Sequence, residues 1–254
     1  LEYQITLFGK NERILLVRDA TKVLRLERMR QDFVANVSHE LRTPLTVLSG
    51  YLETFTDSSD QLPPRWQRGL TLMSEQAARM EHLVSELLTL SRLETSAFKA
   101  EAAPIDITEL LNTIRNDALA LSGQQHQINL VFDNPLRLRG NINELRSAFS
   151  NLVFNAVKYT PQGSTIELHW YQDPDGAHLK VQDNGPGIDS KHLAFLTQRF
   201  YRVDSSRNSH TGGTGLGLAI VKHVMLRHQG RLEITSTIRQ GSCFTCHFPL
   251  SLTI

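Results

Sequence analysis

Between residues 70 and 87 the apolar side chains Leu70, Met73, Ala77, Met80, Val84 and Leu87 fall at alternating steps of three and four. That is the spacing of a coiled-coil seam, not the broad stripe of a globular helix. An upstream run from about residue 22 to 56 offers a matching row, Phe33, Val37, Leu41, Leu45, Leu48, Leu52 and Phe55, and the breaker SSDQLPP separates the two. The pattern predicts a helical hairpin. Two helices make one layer that cannot cover its own apolar face, so a second copy is expected to complete a dimeric four-helix bundle. Packing on another domain of the same chain is the alternative.

The rest of the chain is patterned differently. ITLFGKNERILLVRDAT (5–21) reads as two short strands around a Gly-Lys-Asn-Glu turn, too little to fold alone. ETSAFKAEAAPID lacks periodicity and reads as a linker, with a new domain beginning near residue 104. There the sequence predicts a helix at 108–121, a strand at 127–133, an extended piece at 136–139, and a helix at 141–160 opened by Asn141 with Glu144 three residues on. STIELHWYQ and AHLKVQDN, joined by DPDG, predict a hairpin. A polar, glycine-rich loop at 185–215 and a helix at about 216–228 follow. RLEITSTI and SCFTCHFPL close the chain as a second hairpin around Arg239-Gln240-Gly241. Helices alternating with antiparallel strand pairs give an α+β sandwich. The domains are thus expected at 1–21, 22–97 and 98–254.

Composition excludes several classes. With 27 basic and 26 acidic residues the net charge is +1, which gives no field to favour a polyanion, so nucleic acid is not an expected partner. No apolar run reaches the roughly 18 to 20 residues of a membrane span, and LEYQITLFGK lacks a signal-peptide layout. A soluble chain is expected. Its opening without Met inside a strand-like pattern suggests a fragment of something longer, which leaves open whether the missing part spans a membrane. Cys243 and Cys246 spell CFTCH, the c-type haem pattern, yet the period of a strand sends them to opposite faces, so neither haem nor a disulfide framework is expected.

Chemistry concentrates in FVANVSHELRTPL (33–45). On a helix Asn36 and Thr43 share the face of His39, while Val37 and Leu41 turn to the seam, so His39 points outward. Pro44 has no N–H for the Glu40 carbonyl, which predicts a kink one turn after the histidine. Asn151 and Asn155 lie four apart on a second helix, with Lys158 and Tyr159 one turn further on. Amide oxygens suit magnesium, which keeps several waters and borrows phosphate oxygens. No GxxxxGK[ST] occurs, and GTGLG (213–217) fails GxGxxG, which leaves neither a P-loop nor a dinucleotide fold. What remains is a glycine-rich loop feeding a helix whose amino end presents N–H groups to phosphate. Taken singly, each feature has a bland reading: a surface histidine, a solvated helix face, an ordinary turn.

Together they resemble a family. VSHELRTPL, NLVFNAVKYT, DNGPGI, FYRVD and GGTGLGLAIV, in that order over about residues 24–249, resemble the boxes of the sensor histidine kinases of two-component systems. ANVSHELRTPLTVLSGYLE with RFYRVDSSR is most similar to the phosphate-regulon branch. The resemblance implies a phosphotransfer hairpin followed by an ATP-binding domain of the GHKL (Bergerat) type. His39 would be the phosphoacceptor, its neutral imidazole supplying a lone pair near pH 7. Glu40 would act on the other ring nitrogen, and Thr43 would orient water for hydrolysis of a regulator's phospho-aspartate. Asn155 would ligate Mg2+, with Asn151, Lys158 and Tyr159 lining ATP. Asp183, followed by Gly185 and Gly187, would accept from the adenine amino group. Arg202 would approach the terminal phosphates, and Gly213, Thr214, Gly215, Leu216 and Gly217 would line the nucleotide, with loop 203–214 as a mobile lid. The implied partners are a second copy and a PhoB-like response-regulator receiver domain. The implied setting is the cytoplasmic portion of a bacterial inner-membrane protein, with 1–21 the end of a PAS-type sensor. Two rivals are a GHKL ATPase such as gyrase or MutL, against which SHELRTP argues, and a docking or phosphatase module without kinase activity. Against the second stand Asn155, Asp183 and the glycines.

Overall fold

The structure is a computed structural model. It describes residues 2–8, 12–18, 37, 40–56, 62–95, 103–133, 137–203 and 213–254, in two compact units, Leu1–Thr95 and Ser96–Ile254.

In the first unit β1 (Glu2–Phe8) pairs antiparallel with β2 (Glu12–Arg18), Ile5 lying opposite Leu15. Ile5, Leu15, Leu16 and Val17 are exposed. Helix α1 spans 40–56 and runs through Pro44, and α2 spans Pro64–Thr95. Proline at the first position of α2 costs nothing, because its missing N–H has no intrahelical partner there. The two helices run antiparallel: Leu45 packs with Val84 and Leu88, and the Ser49 hydroxyl donates to Glu81 at 2.9 Å.

The expected seam divides into two rows. Leu45, Leu70, Ala77 and Val84 are buried. Leu41, Leu48 and Phe55 on α1, and Met73 and Met80 on α2, remain 44% to 55% exposed. One row closes the hairpin; the other, at steps of seven, faces away from it. His39, Phe33 and most of the SSDQLPP breaker lie outside the described residues. Among the described residues no helix is long and apolar enough to cross a membrane.

The second unit is built on a five-stranded sheet in the order β4-β6-β7-β9-β8, where β4 is Gln127–Phe132, β6 Thr165–Asp173, β7 Gly176–Asp183, β8 Arg231–Thr237 and β9 Gly241–Pro249. Both expected hairpins are present. The sheet is nevertheless mixed, since β4 runs parallel to β6. The reason is the crossover through helix α4 (Ile142–Tyr159), which returns the chain to the end of the sheet where β4 began. A second, two-stranded sheet joins β3 (Ala103–Asp106) to β5 (Arg137–Gly140). Strand β3 falls at the end of the stretch read as linker. Pro104 is tolerated because the sheet has only edges, and Ile105 anchors it by burial. Residues 96–102 of that stretch lie outside the described residues.

Helix α3 (Ile107–Leu121) is capped by Asp106, which accepts from the Glu109 N–H. Asn141 caps α4, accepting from the N–H groups of Asn143 and Glu144. Glu144, three residues past this cap, does not reach back to the Asn141 N–H. Glu144 instead binds the Arg227 guanidinium at 2.8 to 3.1 Å, and the Asn141 N–H donates to His228 Nε2 at 3.2 Å. Arg227 and His228 end helix α6 (Gly217–Arg227), so the start of α4 is bolted to the end of α6. Among the described residues between β7 and α6 the loop contains one short helix, α5 (Ser190–Leu193), capped by Asp189. A 3-10 turn, Leu250–Leu252, closes the chain.

Trp170, Phe149, Phe248, Ile166, Leu168 and Leu179 are fully buried at the core. Phe149 of α4 meets Phe248 of β9 edge to face, with centroids 6.1 Å apart. Cys246 shares this buried face, where desolvation raises its thiol pKa to about 12, while Cys243 points to the other side.

Candidate functional site

The buried side of α4, including Leu145, Phe149, Leu152, Val153 and Val157, is spent on the sheet, which leaves Asn151, Asn155 and Lys158 half-buried along one edge. The Asn151 amide donates to the Ser147 carbonyl at 2.9 Å, and its Oδ1 lies where a Cβ on Gly217 would stand. A Cβ on Gly213 would meet the Tyr159 hydroxyl at 2.6 Å and Lys158 Nζ at 3.0 Å. The glycines therefore let the backbone approach this face of α4. Lys158 Nζ sits 5.4 Å from the Tyr159 ring centroid. Asn155 lies on the same edge, and among the described residues its amide has no hydrogen-bond partner.

Helix α6 starts at Gly217 without a side-chain cap, so its first N–H groups are open to an acceptor. Leu216 N–H is turned back onto Thr214 Oγ1 at 3.2 Å. The approach to α6 is clasped by the Phe200 N–H, which donates to the Gly215 carbonyl at 2.9 Å. Gly215 has φ +75°, and a Cβ there would meet the Phe200 backbone at 2.7 Å, so the position demands glycine. Phe200 is itself at φ +62°, an uncommon conformation for an aromatic residue and one this clasp holds in place. Arg202 follows, half-buried, and the hydroxyl of Tyr201 is 2.7 Å from His192 Nδ1. Of the expected lid, residues 204–212 lie outside the described residues.

Asp183 ends β7, 8% exposed. Its Oδ1 accepts from the N–H of Gly185 at 2.8 Å and of Ser242 at 3.2 Å. Burial pushes its carboxyl pKa up, outweighing these two bonds, which pull it down. A buried carboxylate held against its own desolvation is a mark of a site that needs an acceptor.

The floor under this turn comes from the β8–β9 hairpin. Ser236 Oγ accepts from the Ile188 N–H at 2.8 Å and donates to the Gly241 carbonyl at 2.9 Å, while the Arg239 N–H donates to the Pro186 carbonyl at 2.8 Å. Gly187, at φ +70°, sits against the Thr237 carbonyl. No motif marks Ser236 and Ser242, because their place depends on the pairing of β9 with β7 and with β8.

The structure thus gathers Asn151, Lys158, Tyr159, Gly213 and Gly217 around α4, and Asp183, Gly185 and Gly187 at the turn beside its carboxyl end. Glu40 and Thr43 lie exposed on α1 in the other unit, and His39 lies outside the described residues. A separate cleft of about 620 Å3, lined by Ile105, Leu110, Asn141 and Arg146 among others, shares none of these groups.

Residues 29–96 match the His Kinase A (phospho-acceptor) domain, and residues 140–252 match the histidine kinase-, DNA gyrase B-, and HSP90-like ATPase. The chain is 58% identical over 249 residues to the phosphate regulon sensor protein PhoR of Pseudomonas aeruginosa, covering 98% of this chain and 56% of that protein. It is 40% identical to the protein of the same name in Haemophilus influenzae, covering 98% of this chain and 58% of that one. The chain therefore spans a little over half the length of these curated relatives. Full-length ShkA, solved in complex with AMPPNP, superposes with a TM-score of 0.71 at 26% identity, over 86% of this chain and 45% of that one. Its phospho-acceptor domain, its ATPase domain and its likeness to named sensors along nearly its whole length agree on one origin: the chain belongs to the sensor histidine kinases of two-component systems.

Proposed function

We propose that this chain binds Mg-ATP in the unit around α4, transfers the γ-phosphoryl group to His39, and passes it on to an aspartate of a response-regulator receiver domain. The observation that carries the reading is the convergence of a polar α4 edge, an uncapped α6 amino end and a glycine-lined approach between them, in a chain that also matches a phospho-acceptor domain. The open N–H groups of α6 would receive phosphate, with Lys158 and Arg202 adding positive charge. Asp183 Oδ2 would accept from the adenine amino group, since its two backbone bonds fall on Oδ1.

Asn155 fits a hard cation: it is half-buried and beside the phosphate end, and its amide oxygen is not engaged by another described residue. Mg2+ bound there would neutralise phosphate charge. In the transfer a ring nitrogen of neutral His39 forms the bond to phosphorus as the bond to the leaving ADP oxygen breaks. Glu40 would hold the proton on the other nitrogen. Because donor and acceptor belong to different units, positioning supplies much of the rate. Thr43, one turn from His39, would orient water in the reverse activity, dephosphorylation of the regulator.

The exposed row Leu41, Leu48, Phe55, Met73 and Met80 supports pairing with a second copy into a four-helix bundle. Likeness to PhoR supports a PhoB-like regulator, a phosphate-starvation signal, and a place on the cytoplasmic side of a bacterial inner membrane. The proposed boundaries are 1–21 for the end of a PAS-type sensor, 22–97 for dimerisation and phosphotransfer, and 98–254 for catalysis. Phosphorylating the chain with labelled ATP and chasing onto a panel of receiver domains tests the reading. Label should move within seconds to the PhoB-like receiver, and retention of label by the chain against every receiver would refute the transfer.

A further inference from the structure

We infer that His126 is a positioning residue of the nucleotide site, fixing through Thr160 the turn that holds Asp183. The inference rests on the function proposed above and concerns its selectivity for adenine. Three segments meet here: His126 directly precedes β4, Thr160 is the C-cap of α4, and Gly185 lies two residues past the end of β7.

The Thr160 hydroxyl donates to the Ala156 carbonyl at 2.7 Å and lies 3.0 Å from His126 Nε2, and the Thr160 carbonyl is 3.4 Å from the same nitrogen. A carbonyl only accepts, and the single hydroxyl hydrogen is already given to Ala156, so Nε2 carries the ring proton and donates to Thr160. Bonded on both sides, the hydroxyl has one orientation. That fixes the methyl group, which lies against Gly185: a Cβ built there would meet Thr160 Cγ2 at 2.6 Å and Asp183 Oδ1 at 2.9 Å. The Gly185 N–H in turn is one of two donors on that oxygen. A change of Thr160 rotamer would therefore release the turn and shift the carboxylate.

His126 is 8% exposed, and among the described residues its Nδ1 has no hydrogen-bond partner. An unpaired buried nitrogen is a cost that a phenylalanine or leucine would avoid, so bulk alone does not explain an imidazole here. The backbone on either side is pinned: Gly163 N–H donates to the Gln125 carbonyl at 2.7 Å and Gln127 N–H to the Ser164 carbonyl at 3.0 Å. The ring therefore stays over Thr160.

The test measures, on the whole 254-residue chain, calorimetric affinity for AMPPNP and for the corresponding inosine nucleotide, which lacks the amino group. His126→Phe keeps bulk and removes the donor, His126→Gln restores an N–H, and Thr160→Val keeps the wedge but loses the hydroxyl. The wild type should prefer adenine. His126→Phe and Thr160→Val should each lower the preference about fivefold, the factor of one net hydrogen bond. His126→Gln should recover most of it, and the double variant should be no worse than either single one. In steady state KM for ATP should rise while kcat holds. A His126→Phe chain with wild-type preference, or His126→Gln as poor as His126→Phe, would overturn the inference. A wild type with no adenine preference would overturn the reading of Asp183 itself, which is a separate result.

Discussion

Replacing Asp183 with Asn should make the nucleotide-free chain more stable and its nucleotide affinity worse. The Asn carbonyl oxygen can take the place of Oδ1 and keep both backbone bonds, from Gly185 and Ser242, so no donor is orphaned. What disappears is a charge that burial opposes. Because the folded pKa of Asp183 is raised, its contribution favours folding fully at pH values below the unfolded carboxylate pKa and is lost as pH rises through the folded value. At neutral pH the fold therefore carries the cost of an ionised, buried group. Removing it should gain about 1 kcal/mol, or roughly 2 to 4 °C in Tm for a unit of this size. The gain should shrink as pH falls and vanish below about 3.9, where the wild-type carboxyl is protonated in both states. Meanwhile a charge-assisted bond to the adenine amino group is lost, so affinity for AMPPNP should fall by about 10- to 100-fold. Calorimetric scans across pH and titration with AMPPNP read both quantities. A variant that is less stable at pH 7 would refute the argument, because the two N–H bonds and not desolvation would then govern the carboxylate.

Other consequences concern neighbouring devices. Glu144→Gln removes the negative charge that faces the buried Arg227 guanidinium and should destabilise the second unit by about 3 kcal/mol in denaturant titrations. His228, whose pKa burial lowers, accepts from Asn141 N–H as a neutral ring, so stability should fall as pH drops below about 6.5. His247, also lowered chiefly by burial, adds in the same direction, and a His228→Gln chain should show a flatter slope from pH 7.5 to 5.5. Gly217→Ala drives a methyl into Asn151 Oδ1 and should cut nucleotide affinity more than tenfold while circular dichroism stays unchanged. Asn155→Ala should weaken magnesium-dependent nucleotide binding and leave the sedimentation of the chain as it was.

Local signals were the legible ones. Asn141 as a cap, DPDG as a turn, and alternation in β6 and β9 are decided by nearest neighbours, and the structure has each of them. The edge of α4 was legible for the same reason, since Asn151, Asn155 and Lys158 share a face by spacing alone. What failed was set by distant partners. Glu144 stands three residues past the Asn141 cap, within reach of its N–H by spacing, but Arg227, 83 residues on, draws it away with a charged and bidentate contact. The parallel pairing of β4 with β6 required knowing that α4 is a crossover, and β3 hid behind a proline and two alanines. Ser242 reaches Asp183 across 59 residues, and His126 acts through Thr160 across 34, so neither carried a motif to read.

The most direct measurement incubates the wild-type chain and His39→Gln with γ-labelled ATP and magnesium, after showing that both bind AMPPNP equally. Label that is acid-labile and alkali-stable should appear on the wild type alone. Label persisting on His39→Gln, or stable to acid on the wild type, would contradict the account.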